Sequence, residues 1–315
     1  MIGLGIGLSG GEFAHDGARI AAVARRVEDA GLDAVGVSEI VTGDGSPALD
    51  PVVLLATAAA ATRRVHLDFE VLAAPTRPAA MLASQVQSLQ HVSTGRLRLG
   101  LGIGGFPGTP FWAALGAPTT GRGRALDALL EVLPGLFAGE PTAVPGPGGP
   151  VAVALAPPVP APPLLVAGSE HEAVLRRAAR LGDGWMPFAM SPEQVAAAAT
   201  RLRELAAAHG RTPPRVHLGL HAVLGDRPAD RAASERMRAE LAGFYGLSAQ
   251  AVVDRTLTGT PQRVAERLAE YAAAGVDHVG IALSARDALD RQVDLVGEAR
   301  ALVTDNSAAP RGATA

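Results

Sequence analysis

The 315-residue chain contains no cysteine, so disulfide staples, thiolate nucleophiles and cysteine-ligated zinc or iron–sulfur centres are excluded. Lysine is absent too. All 28 basic residues are arginines, which removes Schiff-base chemistry and the phosphate-gripping lysine of a P-loop. Aromatic residues make up 3% of the chain, and no run of about 18 apolar residues is present to cross a bilayer. The opening MIGLGIGLSG lacks the basic flank of a signal peptide, and its alternating glycines suit a strand, so a cytoplasmic location is expected. A net charge of -3 and a pI near 6.2 offer no general attraction to nucleic acid or to an anionic membrane. A small-molecule substrate is the expected partner, with room left for a homodimer. Hydrophobic residues reach 48%, enough for a sizeable core. Arginine in place of lysine, with heavy Ala, Gly and Pro usage, fits a GC-rich genome of actinobacterial kind.

Short β-like runs alternate with longer Ala/Leu/Arg segments of helical period. The pattern predicts strands at 2–8, 34–38, 65–72, 97–104, 163–168, 184–188, 215–224 and 278–283. Helices fall near 15–31, 50–62, 77–93, 121–138, 171–181, 192–209, 228–243 and 261–275, with a closing helix at 286–303. Eight such rounds predict a single (β/α)8 TIM barrel over residues 1–304. Ser191-Pro192 and Thr260-Pro261 are helix starts, and Gly31, Gly182, Gly210 and Gly275 are helix stops. The Pro/Gly-rich stretch 141–163 is an insertion between the fourth helix and the fifth strand, with room for one hairpin through 151–155. Residues 305–315 are expected to form a disordered tail.

Two stretches, GIGLSG from Gly5 and GLGIGG from Gly100, match the G-x-G-x-x-G of a dinucleotide-binding turn. Neither has the acid about 20 residues further on that such a turn needs. Strand parity accounts for them better. Leu99, Leu101 and Ile103 share one face and Gly100, Gly102 and Gly104 the other, as Ile2, Leu4 and Ile6 do against Gly3, Gly5 and Gly7. With branched residues toward the helices, the glycines face the barrel axis and leave interior room. On the third strand Val65, Leu67, Phe69 and Val71 then point outward, and His66, Asp68 and Glu70 inward; on the seventh, His217 and His221 point inward. Buried polar groups there must be paired. His217 and His221 resemble a helical zinc pair, but four residues along a strand span roughly 13 Å, so no metal is expected.

The blocks RPAAMLASQVQSLQHVSTGRLRLGLGIG (77–104), FWAALGAPTTGRGRALDALLEVLPGLFAGEP (111–141) and PPLLVAGSEHEAVLRRAARLGDGWMPF (162–188) resemble the luciferase-like, flavin-dependent oxidoreductase superfamily, which includes deazaflavin-dependent members. The resemblance implies a flavin-type ring across the C-terminal mouth of the barrel. Its contacts would be Ser38 and Glu39, Ala73 and Ala74, Gly102 and Gly104, and Ala167, Gly168 and Ser169, the last pair leading into a helix whose N-terminus favours a phosphate. Chain length and the LGLGIG motif look more like members using coenzyme F420 than FMN, which implies hydride transfer to or from a small organic substrate. An FMN-dependent monooxygenase and a barrel that binds cofactor without turning over stay open. Some relatives carry a His after the second-strand acid and a Glu after the fourth-strand glycines; here Ile40 and Gly105 stand there, which speaks against a sugar-phosphate dehydrogenase. Candidate catalytic acid/base groups are Glu39, His15, Glu70 and His221. Phe106, Phe111 and Trp112 are candidate pocket walls or packing residues.

Overall fold

The computed structural model describes residues 2–9, 13, 16–40, 42–146, 148–285 and 288–308. In chain order the strands are β1 (Gly3–Ser9), β2 (Ala34–Ser38), β3 (His66–Ala73), β4 (Leu97–Gly102), β5 (Thr142–Val144), β6 (Val151–Val153), β7 (Leu164–Ala167), β8 (Gly184–Met186), β9 (Arg215–Leu224), β10 (Thr256–Gly259) and β11 (His278–Leu283). The helices are α1 (Arg19–Asp29), α2 (Pro51–Ala61), α3 (Ala79–Ser93), α4 (Pro110–Ala114), α5 (Arg122–Phe137), α6 (Glu172–Leu181), α7 (Pro192–Ala208), α8 (Pro228–Tyr245), α9 (Ala249–Val253), α10 (Pro261–Ala273) and α11 (Leu289–Ala308). Eight parallel strands, β1, β2, β3, β4, β7, β8, β9 and β11, close into a barrel when β11 pairs back onto β1. β10 adds to the outer end of β9 through His221–Leu224, while β8 meets β9 only at Arg215 and Val216.

Local chemistry sets the helix entries. Asp50 caps α2 by accepting from the amides of Val52 and Val53 ahead of an N1 proline, and Ser191 and Gln194 form a capping box on α7. Gly31, Gly210 and Gly275 close helices with φ of +73°, +64° and +95°. Gly182 ends α6 in extended conformation instead. The insertion forms the β5–β6 hairpin, earlier in its segment than the sequence suggested, and the side-chain amides of Gln87 and Gln90 on α3 donate to the carbonyls of Pro157 and Pro160. The last helix continues to Ala308, past its expected end at 303, and residues 309–315 lie outside the described ones. No helix among the described residues is long and apolar enough to cross a membrane.

Leu4, Ile6, Leu8, Val35, Val37, Leu67, Phe69, Leu99 and Leu101 are buried in the layer between barrel and helices, as strand parity predicts. One strand breaks parity. Phe69 pairs with Leu99 but Leu72 with Leu101, so β3 spends one residue more than β4, and the Glu70–Val71 peptide inside this bulge is cis. Both side chains therefore enter the barrel: Glu70 against Gly7, Gly36 and Gly280, and Val71 against Gly100 and Gly102. The expectation that Val71 faces the helices is corrected, because the inserted residue shifts the two-residue alternation by one.

Below the bulge the barrel is plugged by polar groups. Arg98 reaches across with Nε 2.6 Å from Asp68 Oδ1, and its Nη2 donates to Asp68 Oδ2 and lies 3.3 Å from His278 Nε2. Burial, with Arg98 beside them, holds His278 well below the usual imidazole range and His217 down at about 3, so both rings are neutral and His278 Nε2 accepts. The two rings lie 5.4 Å apart. Asp68 and His217 were expected inside; His66 is exposed at the lower end, and Arg98 and His278 complete the plug.

Removing one partner of this pair leaves the other buried and uncompensated. Asp68→Ala should cost about 3–5 kcal/mol in denaturant unfolding, and Asp68→Leu with Arg98→Met distinctly less. Equal losses in both variants would show that the pair's charge balance is not what stabilises the base of the barrel.

Candidate functional site at the barrel mouth

The C-terminal ends of β2, β3, β4 and β7 converge on one surface of small residues. A Cβ added at Gly102 would stand 3.5 Å from Ala167 Cβ and 3.2 Å from Val71, and one at Gly104 would stand 3.2 Å from Ala73 Cβ. Gly102, Gly104, Ala73 and Ala167, named from four separate places in the chain, are thus neighbours. Ala74 is buried in the short 3-10 turn Ala74–Thr76 that follows β3, and Ser38 is half-buried at the end of β2.

Glu39 ties two of these ends together. Its Oε2 accepts from the Ala73 amide at 2.7 Å, its Oε1 is ion-paired with Arg77, and the side chain is 2% exposed. An acid held this way positions the rim of β3 and is poorly placed to exchange a proton. On the β4 side, Arg122 donates to the carbonyls of Ile103 and Gly104 and stands 6.0 Å from the Trp112 ring. Trp112 is fully buried behind Gly104, where even a Cβ would collide with its ring, so it is packing and not pocket wall. Phe106 and Phe111 are exposed at the rim, and Phe188, which the sequence reading passed over, joins them. Phe188 stands edge-on to His221 with centroids 5.2 Å apart, and His221 Nδ1 lies 3.4 Å from Ser284 Oγ. In GWMPF, Phe188 lies two residues past the end of β8, and that position was the available signal for it.

The turn after β7 is narrower than the sequence suggested. Gly168 has φ of +148°, its amide donates to Met186 and its carbonyl accepts from Trp185 Nε1, while a Cβ there would meet Val174 at 2.9 Å. Helix α6 begins at Glu172, so Ser169 is exposed three residues before it and does not adjoin it. Glu172 at the entry accepts from Arg176 and Arg201, which hold its carboxyl down at about 2. His15 lies outside the described residues.

Glu70 is the unusual group. Its carboxyl is ringed by three glycines from β1, β2 and β11, each of whose Cβ positions would fall within 2.6 Å of it, and the residue is half-buried. No hydrogen bond or ion pair to this carboxyl is found among the described residues, so the expectation of a hydrogen-bonded Glu70 is corrected. Burial and then the neighbouring Asp68 push it up to about 8, with Arg98 opposing. His221, expected to be buried with it, is half-buried one layer higher, paired in register with Ala282.

The luciferase-like monooxygenase family model matches residues 4–278. The chain belongs to that family. An uncharacterized protein of Mycobacterium tuberculosis is 33% identical over 172 residues, covering 54% of this chain and 59% of its own length, so the match spans less than two thirds of that relative. Three solved structures share the fold. A monooxygenase from Streptomyces bottropensis superposes with TM-score 0.79 at 24% identity, over 98% of this chain and all of that one. An F420-dependent secondary alcohol dehydrogenase, solved with an F420–acetone adduct, does so with TM-score 0.80 at 17% identity over 96% and 99%. The oxygenating constituent of 3,6-diketocamphane monooxygenase from Pseudomonas putida, solved with FMN, gives 0.77 at 18% over 94% and 97%.

Two outcomes are expected. Gly36→Ala should destabilise by about 1–3 kcal/mol because the new methyl occupies the Glu70 carboxyl site, and Gly36→Ala with Glu70→Ala should recover much of that loss; purely additive losses would place the carboxyl elsewhere. The folded-state value of Glu70 lies above its unfolded one, so the unfolded chain releases the proton first. Stability should then fall as pH rises from about 5 to about 8, by up to about 1.4 kcal/mol per unit, and Glu70→Gln should remove that slope in thermal melts.

Proposed function

We propose that this protein is an oxidoreductase that transfers hydride between coenzyme F420 and a small organic substrate, acting as a reductase. The observation that carries this reading is the surface of small residues at the barrel mouth, where Gly102, Gly104, Ala73 and Ala167 stand side by side. A bound deazaflavin would supply hydride from a ring carbon without activating oxygen.

The residues present fit a planar ring. Gly102, Gly104, Ala73 and Ala167 offer neighbouring positions without bulky side chains, and Ala74 and Ser38 lie at the ends of β3 and β2. Glu39 with Arg77, and Arg122 with the β4 carbonyls, hold that surface in place before any ligand arrives, which lowers the cost of ordering it. The anion end of the cofactor would meet the first amides of α6, beside Arg176 and Arg201, which Glu172 already engages. FMN-dependent oxygenation at the same surface is the second reading, favoured by the full-length likeness to the Streptomyces bottropensis monooxygenase.

Titration of purified protein with F420 and with FMN, followed by ring fluorescence, should show the tighter binding for F420. Reduced F420 should then be oxidised by an organic acceptor under anaerobic conditions. Tighter FMN binding with oxygen-dependent product would establish the second reading, and binding of either without turnover would leave a cofactor-holding barrel.

A further inference from the structure

The small-residue surface takes the ends of β3, β4 and β7, and the circle of strands continues from β7 through β8 and β9 to β11. On this second arc the two-residue alternation turns Met186 and Phe188, Gly219 and His221, and Ala282 and Ser284 toward the axis. Phe188 is nevertheless 44% exposed, and His221, Ala282 and Ser284 are half-buried. A side chain that points inward and still meets solvent lines the opening.

Phe188 is fixed there from three sides. The Ala189 amide donates to the Gly219 carbonyl and the Gly219 amide to the Pro187 carbonyl, each at 2.9 Å, so the segment from Pro187 to Ala189 is clipped to β9. Ala189 has φ of +51°, a left-handed conformation that alanine adopts only at a cost and keeps only where its surroundings over-determine it. The Phe188 ring lies against Gly219, where a Cβ would collide with it, and stands edge-on to His221. His221 Nδ1 in turn lies 3.4 Å from Ser284 Oγ, so Phe188, His221 and Ser284 form one row across three strands.

We infer that Phe188 selects the substrate, offering its ring face to a planar aromatic compound while Ser284 meets an oxygen carried on that compound's ring. The assignment rests on the reading of this mouth as the site of hydride transfer. The substrate class follows from the row itself. An aromatic ring held rigid and left open gives a flat partner stacking and edge contacts that a saturated one of equal size lacks. The Ser284 hydroxyl has one donor and two acceptor sites, so its contact with His221 leaves capacity for a phenol, quinone or aryl ketone oxygen. A binding site of this kind, mostly apolar with one placed polar group, fixes both the fit and the orientation of such a ring.

Equilibrium dialysis, with and without F420, against 2-naphthol and against decahydro-2-naphthol tests the assignment, because the two share skeleton and hydroxyl and differ in the aromatic face. 2-Naphthol should bind about 2–10-fold more tightly. Phe188→Leu keeps the apolar bulk and should abolish that preference, whereas Phe188→Tyr should keep it. Ser284→Ala should weaken binding of 2-naphthol and leave that of naphthalene unchanged. Equal affinity for the two alcohols in the wild type, no measurable binding of either, or a preference that survives in Phe188→Leu overturns the proposal. Loss of F420 affinity in Phe188→Leu assigns the ring to the cofactor and overturns it as well. Failure of the wild type to bind F420 overturns the hydride-transfer reading instead, while the naphthol preference, measured without cofactor, reports on Phe188 separately.

Discussion

The barrel interior has a fixed width, and every side chain that enters it must be matched by side chains withheld elsewhere. Glu70 enters at the level of the bulge, and three strands answer it with glycine at Gly7, Gly36 and Gly280. Val71 beside it is answered by Gly100 and Gly102, and Phe188 by Gly219. This complementarity explains why the inward face of the strands is so nearly bare, and why the polar plug of Asp68, Arg98, His217 and His278 can close the lower end. The plug seals one end while the mouth stays open. A carboxyl between the two is desolvated by the barrel and faces the charged Asp68 and Arg98 below, and burial with Asp68 outweighs Arg98 in pushing it up.

At the rim the same economy uses charge to hold backbone. Glu39 and Arg77 join the ends of β2 and β3, and Arg122 grips two successive carbonyls where β4 ends. Neither contact points a free functional group at the mouth. Both restrain segments that would otherwise be loops, so the small-residue surface at the mouth is preformed from parts distant in sequence.

Strand order, helix positions and the inward glycines were legible because each depends on short-range patterning: two-residue alternation, an N1 proline, a Gly after a helix. The bulge was not. A strand reading VHLDFEVL alternates without interruption, and nothing local marks the extra residue; only its pairing with β4 reveals that Val71 turns inward after Glu70. For the same reason Glu39 read as a catalytic candidate, since its partner Arg77 stands 38 positions later and the Ala73 amide carries no side-chain signature. Arg98 and His278 were recoverable, each lying two residues before an inward glycine. Trp112 could not be placed, because burial behind Gly104 depends on the positive φ of that glycine.

The ladder around the barrel is not of even strength. β8 joins β9 through Arg215 and Val216 and a single further bridge from Phe188 to Gly219, after which β9 turns to β10 for its remaining partners. The β4–β7 and β7–β8 rows hold three pairs each as well, so the sparse side of the cylinder runs from β4 to the seam at β9. Phe188 and His221 flank that seam. At that row their edge-on ring contact adds side-chain packing where few backbone pairs join the two strands.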